Sequence, residues 1–474
     1  MKFFIYLLNI LNAFIFASKD KVSNNLEKSK SIKYLEFSFI RNITKNESLE
    51  PEKFFNEYFY NQIYILIAVG SQKIKIPFYF YLQQFPLVIQ SSNVSNSQVK
   101  GIYNEQDSKT YKAIKTEQTF TLGDLETAIF SEDKFYLDNK ESFINFYLAK
   151  DNTGYSHITE GGKIGFKPYP FFSETDDSSF LTNLKNNKMI SENVFTFKYD
   201  SNKLNEDSGK LYIGAHPYEF NIEQYKEDYY IRYRAQEGFN GIDWIYNFNQ
   251  VKIGDNVIEE GIEAYFYSEI GFIIGTQKFF NYLTDLDSWK TYFVNNKKCH
   301  EHKFKINDFE SNGYYETFTH PFIGYYCDKD VNIEKLEIGE ISFVKRQLNY
   351  IFNFTYKELW MEQKNYNYFM IIRVENFENE WIFGKPFFKK YQLVFEYENR
   401  QIGLYTKILE ENSNNSKKIN SKYIYIIIIV GLAIIIFILA YFLIKCYYKL
   451  PRQKKANELM DDNYDYTEQN AKIN

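Results

Sequence analysis

The stretch "YIYIIIIVGLAIIIFILAYFLI", Tyr423 to Ile444, decides what the rest of the chain has to be. An apolar run of about twenty residues, rising 1.5 Å per residue, matches the hydrocarbon thickness of a bilayer. It is too long and too uniform for a buried core helix. Just beyond it stand Lys445, Lys449, Arg452, Lys454 and Lys455. Cations gather on the cytosolic side of such spans, so residues 445–474 are expected to be a cytosolic tail. At the other end, Met1-Lys2, the apolar run Phe3–Phe16 and Ala17-Ser18 have the layout of a secretory signal peptide over residues 1–17. The expectation is a single-pass type I membrane protein. Its N-terminal bulk would face the lumen of the secretory pathway, a vacuole or lysosome, or the cell exterior.

With 474 residues, the chain has room for one large or two ordinary domains, and its 20% aromatic content can fill a sizeable core. The net charge is −5, and no basic stripe stands outside the tail, which argues against a nucleic-acid partner. Of three cysteines, Cys299 and Cys327 fall in the lumenal part. An oxidising compartment predicts a disulfide between them, worth roughly 3–4 kcal/mol by loop entropy. The alternative is two buried free thiols. Cys446, at the cytosolic membrane edge, is either an S-acylation site or an ordinary thiol. Asn42, Asn46, Asn93, Asn353 and Asn414 head glycosylation sequons. In an Asn-rich chain several arise by chance, so they are consistent with secretion and no more.

Between these ends, strand-like segments recur with turn signals between them. Tyr58–Ile89 holds "IYILIAVG" and the alternation "KIKIPFYF". Others are Thr119–Leu122, Ala128–Tyr136, Ser142–Leu148, Val194–Tyr199, Lys210–Ile213, Gln250–Ile253, Ala264–Phe266, Ile341–Phe343, Tyr350–Phe354, Tyr368–Val374 and Tyr391–Tyr397. Regular spacing of short strands predicts a mainly β domain of sandwich or barrel type. The best helical segments are Phe279–Asp287 and Pro386–Lys390. Residues 409–422 form a polar stalk before the membrane. No Walker or dinucleotide glycine pattern is present, and no cofactor is expected. Cys299-His300-Glu301-His302 is the one local cluster with metal-ligand chemistry, and it reads as a solvated loop rather than a metal site.

Three stretches, in order, carry a resemblance. "NEYFYNQIYILIAVGSQKIKIPFYFYLQQFPLVIQSS" (Asn56–Ser92) opens with a Tyr-containing strand and an Ile-Gly-Thr-Pro-like turn. It ends on Leu-Val-Ile-Gln-Ser-Ser, and "YNEQDSKTYK" (Tyr103–Lys112) follows. "GKLYIGAHP" (Gly209–Pro217) is similar to Gly-x-Leu-x-Phe/Ile-Gly-Gly-x-Asp-Pro. "WIFGKPFFKKYQLVFEYENRQIGLYTK" (Trp381–Lys407) is similar to Trp-Ile-Leu-Gly-Asp-x-Phe-Leu-Arg-x-Tyr-Tyr-x-Val-Phe-Asp and its continuation. Together they resemble the pepsin-like aspartic protease family. The resemblance implies two β-barrel-like lobes with a cleft between them, over residues 53–188 and 189–408. Residues 18–52 would be a propeptide-like segment, with "YLEFSFIRN" (Tyr34–Asn42) in the place of the family's propeptide strand.

The family's chemistry needs two carboxylates about 3 Å apart that share a proton and hold a water. In the first lobe the family's Asp falls at Tyr79 or Tyr81, and "PFYFYLQQFP" (Pro77–Pro86) holds no Asp, Glu or Gly. In the second lobe, within "EAYFYSEIGFIIGTQKFF", the Asp position is Tyr267 and the Gly position is Glu269. "TFTLGD" resembles the flap, with Leu122 at the flap-Tyr position. Tyrosine, with a pKa near 10, is a poor base at acidic or neutral pH. The expectation is a catalytically inactive relative that binds peptide or protein through the former cleft, whose aromatic floor makes either a groove or a collapsed contact. The alternatives are a working membrane-anchored aspartic endopeptidase, and a surface adhesion or sorting receptor read through Tyr447-Tyr448-Lys449-Leu450.

Overall fold

The computed structural model describes residues 32–41, 49–60, 63–82, 87–93, 102–115, 118–122, 124–152, 161–167, 179–201, 204, 207–235, 237–238, 241–242, 244–306, 321–336, 338–375, 380–409 and 439–445. The chain divides into two compact units, Met1–Leu409 and Glu410–Asn474. In the second, residues 439–445 are helical and exposed. Among the described residues no helix is long and apolar enough to cross a membrane. The expected signal peptide, and all but the last residues of the expected span, lie outside the described residues, as do Asn42, Asn46, Asn414 and Cys446.

The first unit is mainly β. Strand β1 (Leu35–Arg41) is followed by helix α1 (Pro51–Phe59) and by strands β2 (Ile63–Val69), β3 (Ile74–Tyr81) and β4 (Leu87–Gln90). In β2, Ile63, Ile65, Ile67 and Val69 face the core, while Leu66 between them is 49% exposed. This is the period of two that a half-buried strand requires. A short strand, β5 (Gly162–Gly165), then β6 (Val194–Tyr199) and β7 (Gly209–Ile213), complete this half. The second half holds β8 (Asn256–Phe266), β9 (Ile273–Gly275), helix α2 (Gln277–Asp285), β10 (Glu380–Phe383), helix α3 (Lys385–Lys390), β11 (Leu393–Glu396) and β12 (Gln401–Tyr405). Strands β8 to β10 belong to a ten-stranded sheet. Strands β1 to β7, β11 and β12 belong to a fourteen-stranded sheet, so the chain's last strands return to the sheet that its first strands build.

β1 lies inside that larger sheet. It pairs antiparallel with β7, Leu35 opposite Ile213 and Phe39 opposite Gly209, and its end pairs with β2, Ile40 opposite Tyr64. Within the segment expected to be propeptide-like, Leu35–Arg41 is thus an integral strand with Leu35, Phe37 and Phe39 buried.

Two local expectations are corrected. Residues 56–59, read as the start of a Tyr-containing strand, belong instead to α1. Pro51 sits at the first helical position and Glu52 in the first turn, and Phe54, Phe55, Tyr58 and Phe59 form one buried face. Cys299-His300-Glu301-His302 is not a loop: it opens the strand Cys299–Phe304, paired in register with Phe322–Asp328. Cys299 stands directly opposite Cys327 and is bonded to it. His302 stacks on Phe55, ring centroids 5.6 Å apart, so its ring packs against α1. The helical segments expected near 279 and 386 are α2 and α3. Thr276 caps α2 by accepting the Phe279 amide at 3.2 Å.

Phe39 is 1% exposed and packs edge-on against Phe197 and Tyr199. Phe39→Ala is expected to destabilise the first unit by about 3–5 kcal/mol, measured by urea denaturation, because it opens a cavity in the larger sheet's core.

Candidate functional site

Each half contains the same strand insertion. In the first, β5 lies between β3 and β4, parallel to β3 (Phe80 opposite Ile164) and antiparallel to β4 (Leu87 opposite Ile164). In the second, β10 lies between β8 and β9, parallel to β8 (Phe266 opposite Phe383) and antiparallel to β9 (Ile273 opposite Phe383). With Ile164 and Phe383 as twins, Phe80 matches Phe266 and Leu87 matches Ile273. The loops between them have equal length, so the next residues, Tyr81 and Tyr267, are twins. The register selects Tyr81 over Tyr79 as the partner position. Tyr79 lies within β3, opposite Tyr64. Residues 83–86 lie outside the described residues.

The two loop starts touch. Ser268 Oγ donates to the Phe80 carbonyl at 3.3 Å and stands 3.3 Å from Glu269 Oε2. The twin of Ser268 is Leu82, which has no hydroxyl to return the bond. Glu269 fills part of that role, because its carboxyl accepts the Leu82 backbone N–H. Burial raises the Glu269 pKa to about 7. The opposing pull of its own backbone N–H, of Ser268 and of Leu82 offsets only part of that rise. Tyr81 is half-buried, and burial of its hydroxyl, with Glu269 and Tyr79 nearby, pushes its pKa well above the ordinary phenol value. Tyr267 is 4% exposed and joins a different cluster, with Phe54, Tyr58, Phe272 and Ile274.

Helix α1 covers the second loop. The Gly271 amide donates to the Phe59 carbonyl at 2.7 Å, and Tyr60 bridges to Ile270. A Cβ at Gly271 would lie 1.8 Å from the Tyr58 carbonyl oxygen, so only glycine allows this approach. On its other side the loop meets Gly384, where a Cβ would lie 2.3 Å from the carbonyl oxygens of Ile270 and Phe272. Next to Gly384, Lys385 occupies the position of the Asp in the Trp-Ile-Leu-Gly-Asp pattern. It is fully buried, with Nζ 2.5 Å from Asp207 Oδ1 and 3.3 Å from the Tyr58 hydroxyl. Lys389 Nζ stands 3.3 Å from the same Asp207 oxygen. Sequence reasoning passed over Lys385 and Asp207. The reversed charge at Lys385 within an otherwise well-matched stretch was the available signal.

The remaining candidates are scattered. Leu122 ends the hairpin strand Gln118–Leu122, opposite Asp124, and its side chain lies outside the described ones. Asn93 is exposed and donates from Nδ2 to Asn104 Oδ1 at 3.0 Å. Asn353 is half-buried in the strand Tyr350–Phe354, its amide and carbonyl both bonded to the Tyr391 hydroxyl. No group of three or more His, Cys, Asp or Glu able to hold a metal occurs among the described residues. Among the described residues of the paired loops the chemistry consists of one carboxyl, one hydroxyl and two phenols.

The raised Glu269 pKa carries a signed prediction. Between 4.5, its ordinary value, and about 7, the folded chain binds the proton more tightly than the unfolded one. The stabilisation from this group is therefore present at acid pH and is lost as pH rises through that window. Glu269→Gln is expected to remove it. From about pH 5 to about pH 7.5 the unmodified protein should lose on the order of 2 kcal/mol more than the variant, read from denaturation midpoints.

No curated protein matches the chain. The family profile described as eukaryotic aspartyl protease matches residues 86–407. That span runs from the end of the first paired loop through β12, and it includes both inserted strands. With the duplicated insertion and the facing loops already in hand, the match places this chain in the eukaryotic aspartyl protease family.

Proposed function

We propose that this member of the family is a catalytically inactive, membrane-anchored glycoprotein that binds peptide or protein partners through the former cleft. The observation that carries the first part is the pair of twin positions. Tyr81 and Tyr267 are the positions where we read the mechanism's two carboxylates, and the one carboxyl at the loops, Glu269, has Gln83 at its twin position, which is no acid. Two carboxyls that share a proton supply a base and an acid together, and one carboxyl beside phenols does not. Anchoring rests on the apolar run Tyr423–Ile444 and the basic residues after it. Partner binding rests on the partly exposed Tyr81 at the junction of the loops, an amphipathic ring suited to peptide contact.

One observation favours a second reading, a working endopeptidase. Glu269 is a buried carboxyl with a pKa near 7, bonded to Ser268 between the loops. In that reading it is the sole general base.

The test is cleavage of a mixed peptide library by the full-length protein from about pH 3 to 7, with binding of the same peptides read by fluorescence polarisation. Binding without turnover is the expected result. Turnover abolished by Glu269→Gln would establish the second reading instead, and absence of both binding and turnover would remove the cleft from the proposal.

A further inference from the structure

We propose that the second half carries a separate pocket for a small organic ammonium ion of the quaternary type. The cavity measures about 310 Å³, at the lower end of the range for small-ligand sites. It lies among the turn Ile333–Leu336, the helix Tyr356–Leu359 and the strands Trp360–Glu362 and Tyr366–Val374. None of its lining residues belongs to the paired loops, so the site stands apart from the proposed function.

Its interior is apolar and aromatic. Ile338, Leu359, Trp360 and Phe369 line it and are 6%, 2%, 6% and 0% exposed. The Trp360 and Phe369 rings lie 5.0 Å apart. The Trp360 Nε1 atom is buried away from solvent, and no hydrogen-bond partner for it stands among the described residues. The Trp360 ring lines the cavity beside the ring of Phe369. An indole ring attracts a cation through its quadrupole, and the attraction grows as water is excluded.

The polar groups have one sign. Glu334 and Glu340 line the same cavity and are exposed. Glu334 accepts the Tyr356 hydroxyl, and Glu340 accepts Ser342 Oγ at 3.5 Å. Neither forms an ion pair among the described residues. Nearby carboxylates do: Glu358 with Lys390 at 2.8 Å and Glu362 with Lys329 at 2.8 Å. Two uncompensated carboxylates over an aromatic interior repel anions and favour a cation. A hydrated metal ion needs six or more oxygen ligands, and apolar walls do not provide them. A weakly hydrated ammonium with an alkyl shell satisfies both parts of the cavity.

The probe is choline, set against its neutral isostere 3,3-dimethylbutan-1-ol, by calorimetric titration of the full-length protein. Choline is expected to bind at least about tenfold more tightly than the isostere. The double variant Glu334→Gln/Glu340→Gln changes only exposed side chains, so it tests the charge without disturbing the core. It should reduce that preference to about twofold or less, and Trp360→Leu should weaken both ligands. Equal affinity for the two ligands, no choline binding at millimolar concentration, or a preference untouched by the double variant would overturn the proposal.

Discussion

The insertion of β10 between β8 and β9 is the constraint on which the second half depends. A parallel pair cannot be closed by a tight turn, so the segment from Phe266 to Glu380 takes a long path, adding further strands to the same ten-stranded sheet before it returns. The return fixes the loop Tyr267–Phe272 from both sides: the Tyr267 amide bonds to the Phe383 carbonyl at 3.0 Å, and the Lys385 amide bonds to the Ile270 carbonyl at 2.8 Å. The first half repeats the device with β5, whose continuation donates the Phe166 amide to the Tyr81 carbonyl at 2.8 Å. Two loops held rigidly by inserted strands can face one another at fixed distance, whatever side chains they carry. The scaffold of the site is therefore backbone geometry, set by the two inserted strands.

What fills the space is then a matter of packing and charge. Tyr267 joins the aromatic cluster of α1 and so ties the second loop to the N-terminal segment. Lys385 is buried at a position where the family pattern has an acid, and a buried ammonium must be met by a carboxylate and hydrogen bonds to be tolerated. Asp207 supplies the charge and Tyr58 a hydroxyl and a ring face 4.7 Å from Nζ. Breaking such a pair from one side leaves an uncompensated charge. This binds the segment around Asp207, α1 and α3 into one electrostatic unit beneath the loop.

Much of this was legible in the sequence. The alternation in Lys73–Phe80 and the turn residues pointed to a mainly β chain, and the resemblance carried in part by Trp381–Lys407 implied two lobes and brought the first family position down to Tyr79 or Tyr81. Choosing between them needed the register of β3 on β5, a long-range fact that no local pattern encodes. Helix α1 was missed because its rings resemble a continuing strand, although Pro51, Glu52 and the spacing of Phe54, Phe55, Tyr58 and Phe59 were helical signals. The strand through His300 and His302 was missed because alternating polar residues read as solvated, while the strand it pairs with is distant in sequence and joined to it through Cys327. The Glu269 contacts were illegible for the same reason: Leu82 and Ser268 are far apart in sequence and meet only when both halves are folded.

The physics of Glu269 also separates this site from a carboxyl dyad. Two carboxyls in contact split their titration, so one stays ionised in acid while the other holds the proton. A single carboxyl raised to about 7 by burial does the opposite: in acid it is protonated and serves only as a hydrogen-bond partner. Where the dyad is poised as a base, Glu269 is neutral and its junction with the first loop carries no charge to desolvate. As pH rises the carboxylate forms beside the Tyr81 phenol, whose pKa is raised, and two donors, Ser268 and Leu82. A single carboxyl held between the loops thus makes a contact between the halves that is firmest in acid.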